Sequence, residues 1–201
     1  MSISAGRRRK TRKYFVVLLF LVLSANAAIL ANVKIEGGFF AGLRTVNDAE
    51  IKRVYGGGFI YFPYLDLEIF KGLTVGGGYE FGYSKTGKIG LFDEIAKLDI
   101  SGFELFLMYQ YRAKIVVPTL SVGLGFFSYK QAVESASDLP PVDFKKTTMI
   151  FAGGLKIYPM DSFFFSIEAK YVPLKVQPYE DVVDLGGWRF AVGFGGTFGF
   201  K

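Results

Sequence analysis

From Trp188 to Phe200 every second residue but one is large and apolar: Trp188, Phe190, Val192, Phe194, Phe198 and Phe200, with Gly196 breaking the file. Arg189, Ala191, Gly193, Gly195, Thr197 and Gly199 stand between them, small or polar throughout. Successive side chains of a β-strand point to opposite faces, so this segment predicts a strand with one aromatic face and one face of little bulk. A soluble sheet would bury the aromatic face and show charged or polar residues to water. A file of glycines suits a crowded interior instead.

The same two files recur upstream. Val33, Ile35, Gly37, Phe39, Ala41 and Leu43 alternate with Lys34, Glu36, Gly38, Phe40 and Gly42. Residues 51–62 make a second strand of open register, in which Tyr55, Phe59 and Tyr61 compete with Val54, Ile60 and Phe62 for the apolar face. Over residues 73–83, Val75, Tyr79, Phe81 and Tyr83 oppose Thr74, Gly76, Gly78 and Glu80. Residues 100–111 set Phe103, Leu105, Leu107, Tyr109 and Tyr111 against Glu104, Phe106, Met108 and Gln110. Strands five, six and seven follow after Pro118, around Met149 to Ile157 and from Phe163 to Tyr171, with Lys156, Glu168 and Lys170 on their inner files.

Eight segments of about ten residues have the length and even number of a tilted, membrane-crossing barrel. Their connections alternate. Residues 63–72, 112–117 and 158–162 are mostly short; 84–99, 130–148 and 173–187 are longer and charged, and 44–50 is intermediate. Short turns belong to the periplasmic side and long loops to the outside. The predicted fold is therefore all-β, an eight-stranded antiparallel up-and-down transmembrane β-barrel over residues 28–201. A soluble lipocalin-type barrel, with the apolar files inside, would need outer faces rich in Lys, Glu, Asp and Thr. Glycine dominates those faces instead, with isolated charges.

The N-terminus carries Arg7, Arg8, Arg9, Lys10, Arg12 and Lys13, an apolar run from Tyr14 to Leu23, and small residues through Ala28. This reads as a secretory signal peptide over residues 1–27, cleaved after Ala27 or Ala28. The run is shorter than the roughly 20 residues of a membrane-spanning helix. Without residues 1–27, the 24 Lys and Arg fall to 18, matching the 18 Asp and Glu. The basic charge thus belongs to the targeting segment and supports no nucleic-acid partner. Cysteine and histidine are both absent, which excludes a disulfide framework, Ser-His and Cys-His catalysis, and most zinc sites.

The one polar constellation is a predicted lumen cluster of Glu36, Glu80, Glu104, Lys156, Glu168, Lys170 and Arg189. Paired carboxylates or an ion path are possible chemistries for such a set. A salt-bridged plug fits better, because an eight-stranded interior is just wide enough for side chains to fill. The glycine runs complete no phosphate-binding motif, and the acids of the longer connections match no calcium loop. No catalytic, cofactor or metal site is expected.

The alternating Gly-x-Gly and aromatic files, the segments Leu120 to Tyr129 and Ile167 to Tyr171, and the closing Trp188 to Phe200 resemble the small outer-membrane β-barrel proteins of Gram-negative bacteria, the OmpA-like and OmpW-like group. The resemblance implies residence in the cell outer membrane among lipid and lipopolysaccharide. It also implies a monomer without enzymatic activity, and assembly through an aromatic signal of Phe190, Phe194, Phe198 and Phe200 read by the barrel-assembly machinery. The expected role is structural, or surface interaction through external loops in the cell envelope. The alternative is a narrow porin-like channel for small or hydrophobic solutes, and a third reading is a secreted ligand-binding barrel.

Overall fold

The computed structural model describes residues 34–90, 93–112, 114–133, 142–177 and 182–199. The expected signal segment, Phe200 and Lys201 lie outside the described residues. In chain order the elements are β1 (Lys34–Arg44), α1 (Ala49–Tyr55), β2 (Gly58–Phe70), β3 (Leu73–Ile89), β4 (Glu94–Gln110), β5 (Val116–Val133), β6 (Val142–Met160), β7 (Phe163–Val172), β8 (Lys175–Val176), β9 (Val183–Asp184) and β10 (Gly187–Gly199). Eight of these close into a barrel in the order β1-β10-β7-β6-β5-β4-β3-β2, while β8 and β9 pair with each other. Closure leaves no strand edge in the hydrocarbon, where unpaired backbone groups cost several kcal/mol each, on the order of a lost hydrogen bond or more.

The aromatic file of the last strand faces outward. Phe190 and Phe194 are both 55% exposed, whereas Arg189 on the opposite file is 2% exposed. Phe103, Leu105, Leu107 and Tyr109 of β4 and Leu120, Val122, Leu124 and Phe126 of β5 continue the same apolar belt around the barrel. Trp188 lies near the external end of the belt, beside Tyr171 at 5.3 Å between ring centroids. No helix among the described residues is long and apolar enough to cross a membrane; strands make the crossing.

Three expectations are corrected. Residues 51–55 belong to the helix α1, and β2 runs through residues 63–70, which alternation alone assigned to a connection. Asp48 starts the helix by accepting hydrogen bonds from the Glu50 and Ile51 amides at 3.0 and 3.1 Å, and Gly56, at φ 66°, ends it. Pro63 misled because it reads as a break; it points outward within the strand, where the ladder to β3 skips residues 62 and 63. Ile60, Phe62 and Tyr64 prove to be the inward file.

Second, Tyr83 faces inward and is 1% exposed. The register between β3 and β4 shifts between Glu80 and Tyr83, where Gly82 adopts φ 100°, so a bulge turns the remainder of β3 over.

Third, most of what reads as long loops is strand. β3 and β4 have 17 residues each, β5 has 18 and β6 has 19, far more than the roughly 9–11 that cross a membrane. The surplus rises above the belt, and the polarity of its faces is reversed. In β4 the outward file changes from Phe103 and Leu105 to Ser101, Asp99 and Lys97, while the inward file changes from Glu104 to Ile100, Leu98 and Ala96. One strand thus passes from lipid into water without a change of register. Leu98, Ile100, Phe127, Tyr129, Leu174 and Leu185 are buried with α1 residues in a single apolar core above the membrane, an external crown.

Candidate functional site: a sealed lumen under an external crown

Every residue of the expected lumen cluster points inward, but the cluster is two layers rather than one. In the upper layer Lys170 of β7 and Arg189 of β10 stand directly opposite each other in the ladder. Two cations in such positions repel. Glu104, on the far wall in β4, bridges them: it accepts from Lys170 Nζ at 2.7 Å and from Arg189 Nη1 at 2.8 Å. Glu80 also pairs with Arg189 and accepts from Arg44 Nη1 at 3.1 Å, while Glu168 pairs with Lys170 at 3.3 Å. The second arm of Arg44 donates to the Leu185 carbonyl at 2.8 Å and ties the layer to the crown.

The lower layer has the same logic with the signs exchanged. Glu36 of β1 and Asp66 of β2 face each other in the ladder. Lys156 reaches across from β6 to lie 2.6 Å from Glu36 and 3.4 Å from Asp66. Lys34, Arg112, Tyr158 and Gln110 also donate to Glu36, at 3.0, 3.1, 2.8 and 3.3 Å. Arg112 lies in the periplasmic turn after β4 and donates to Glu68 at 2.6 Å as well. Its burial disfavours charge, yet the two carboxylates outweigh this and hold its pKa above the ordinary arginine value.

Arg44, Asp66 and Arg112 escape sequence reasoning because each stands where a connection is expected. Parity offers the signal for Arg44: it continues the inward file of Glu36, Phe40 and Gly42. Asp66 continues Ile60, Phe62 and Tyr64 once Pro63 is kept inside the strand.

Between the charged layers lie Phe40, Phe62, Tyr64 and Phe164, buried together against Phe106 and Tyr158. The inner glycines make room for these rings. A Cβ on Gly78 would meet the Phe62 ring at 2.4 Å, and one on Gly195 would meet the Phe164 ring at 2.4 Å. The space left beside Tyr64, Glu104, Phe106, Lys156 and Ser166 is about 20 Å³, on the order of one or two waters. Above the upper layer, the Phe127 ring sits 4.8 Å from the Arg189 guanidinium and begins the apolar crown. Ion pairs, rings, ion pairs and apolar crown thus close the lumen in succession. Among the described residues no group of His, Cys, Asp or Glu has the arrangement of a metal site.

No family model and no curated relative matches the chain. Solved structures do. The outer membrane protein OprG of Pseudomonas aeruginosa is similar with a TM-score of 0.63 at 14% identity, over 84% of this chain and 96% of that one. Neisserial surface protein A is similar at 0.61 and 10% identity, over 83% and 97%. Ail, the attachment invasion locus protein of Yersinia pestis, solved with the heparin analogue sucrose octasulfate, is similar at 0.55 and 13% identity, over 83% and 99%. At these identities the likeness is one of fold. Fold and lipid-facing belt are those of a small outer-membrane β-barrel, as the alternating files predict.

Proposed function

We propose that this barrel is a non-conducting, non-enzymatic protein of the cell envelope that acts through its external crown, in a structural or surface-interaction role. The observation that carries the reading is the sealed lumen. A solute path through an eight-stranded barrel needs continuous space, and here two cross-lumen ion-pair layers enclose a ring layer whose two small spaces measure about 20 and 10 Å³. The strands that outrun the membrane support the same reading, because they spend their length on a rigid, water-facing sheet. In this role the chain is exported by its signal segment and assembled as a monomer through the outward Phe190, Phe194 and Phe198 together with Phe200. Lipid and lipopolysaccharide then surround its belt.

Planar-bilayer recordings of the refolded protein test the proposal. No conductance and no solute flux are expected; steady single-channel currents would overturn it in favour of the channel reading. Cell fractionation combined with heat-modifiable gel mobility tests the location, and recovery in a soluble periplasmic fraction would reject the membrane role.

A further inference from the structure

The apolar belt is hollowed on one side. Where β6, β7, β10 and β1 form the wall, a depression of about 530 Å³ opens toward lipid, with Gly153, Ala169 and Ala41 at its floor and Leu155, Phe190 and Leu43 among its sides. The ladders behind it are continuous: Gly153 pairs with Ala169, and Ala169 with Phe190. It is therefore a dimple in a closed wall and no passage into the lumen. Packing inside the protein does not account for Gly153. The inner glycines yield to aromatic rings, and the outward Gly37 and Gly77 are overlaid by Leu65 and Leu105, 3.5 and 3.1 Å from where a Cβ would stand. A Cβ on Gly153 would meet only the Thr119 carbonyl oxygen, at 3.8 Å. What fills the hollow comes from the bilayer, because a gap against apolar atoms forfeits their dispersion contacts.

Its height in the belt identifies the leaflet. Phe151 and Tyr171 pair two residues above Gly153 and Ala169. Tyr171 packs on Trp188, and Trp188 stacks on Phe190 at 6.1 Å, so a file of rings leads from the external interface down to the hollow. Above the rings the outward file of β6 continues through Met149 and Thr147 to Lys145. Lys145 stands four residues past Met149, about 10 Å higher at a rise of roughly 3.3 Å per residue and a tilt of about 40°. Its long stem lowers the ammonium toward the headgroup layer. Lys145 is exposed and forms no ion pair among the described residues, while Asp143, next on the file, is engaged by Lys130 at 3.7 Å. An anionic headgroup above and a hydrocarbon chain below match this sequence of surfaces.

We propose that the hollow over Gly153 and Ala169 seats one acyl chain of a phosphorylated outer-leaflet lipid, lipid A, whose phosphate meets Lys145. The hollow has the size of a small-ligand site, roughly 300–1,000 Å³, rather than of a protein interface. The chain lies along the Trp188 and Phe190 rings with its flank against backbone at Gly153, and Lys145 selects the headgroup. A zwitterionic lipid carries its own cation beside the phosphate and leaves that lysine less to gain. The inference rests on the membrane location and on lipopolysaccharide around the belt, and adds to them a defined seat.

Trp188 is the one tryptophan of the chain and stands at the rim, so its fluorescence reports the occupant. The test uses the refolded full-length barrel in nanodiscs of brominated phosphatidylcholine, whose chains quench Trp188. Unbrominated lipid A, its dephosphorylated form or phosphatidylethanolamine is then added. Lipid A is expected to relieve quenching at a mole fraction about tenfold below that needed with phosphatidylethanolamine. Gly153→Leu, which fills the hollow, should abolish this preference while heat-modifiable mobility persists, since no side chain packs on that position. Lys145→Gln should reduce it, as removal of the phosphates does. Relief in simple proportion to mole fraction, equal relief by the dephosphorylated form, or a preference that survives Gly153→Leu would overturn the inference. Relief that follows protein density at constant lipid would also overturn it, by making a second copy the occupant. The conductance result is independent: a silent barrel without lipid preference refutes only the seat, and a conducting one refutes only the proposed function.

Discussion

Glu104 and Lys156 each do for the lumen what no single strand can do for itself. The ladder places Arg189 against Lys170 and Glu36 against Asp66, and in each case the neutralising side chain arrives from the far wall. Removing one partner of such a buried set leaves unpaired charge, which costs about 3–5 kcal/mol. Glu104→Gln and Lys156→Met are therefore expected to lose stability on that scale in urea unfolding from lipid vesicles. Exchanging the charges of Glu104 and Arg189 should not restore it, because a cation at position 104 would then face Lys170 and an acid at position 189 would face Glu80. A double mutant as stable as the wild type would refute the shared network. Phe127 is placed by absence of bulk: Cβ atoms on Gly102 and Gly125 would meet its ring at 2.2 and 2.3 Å. Gly102→Ala should cost about 1–3 kcal/mol by overpacking, measured in the same unfolding experiment.

Among the elements, β4 shows that a face has no fixed polarity. Phe103 and Asp99 share one outward file, four residues apart, and meet different solvents. Lysine at a lipid-facing midplane position costs about 2–4 kcal/mol and near an interface about 0–1. Leu105, deeper in the belt than Phe103, is the sharper probe of the lipid side. Leu105→Lys is expected to destabilise by the larger amount and Ser101→Lys by the smaller, and equal costs would contradict the inversion of solvent. Alternation in the lower half of β4 is legible from sequence because lipid makes one file uniformly apolar. The upper half carries equally regular alternation, Lys97 and Asp99 against Leu98 and Ile100, but its sense is reversed. Followed outward, the apolar file runs into charges, and the strand looks as if it had ended. The bulge at Gly82 hides β3 in the same way, since a positive φ at one glycine inverts the parity of everything beyond it.

The whole molecule joins two cores made for two solvents. Below, a polar lumen is wrapped in an apolar belt; above, an apolar crown is wrapped in polar strands. The crown rises beyond the apolar belt, so the barrel should insert without its tip. Replacing residues 86–97 with a tight turn is expected to leave heat-modifiable mobility and membrane recovery intact, while lowering the urea midpoint through loss of packing on Tyr83 and Tyr129. Failure of that variant to insert would mean that crown and barrel fold as one unit.

The closed, eight-stranded, lipid-facing architecture is already written in the order of residues, because period-two alternation and strand number are local properties and the bilayer punishes any other solution. So are most of the charges that turn inward within the belt, since parity along a strand assigns them; Asp66 escapes only because Pro63 reads as a break. Which of those charges meet is settled in three dimensions alone, because register and closure bring β4 across to β7 and β10, and β6 across to β1 and β2. The height of the crown belongs to the same class. It depends on where neighbouring strands stop, and no residue records that of its neighbour.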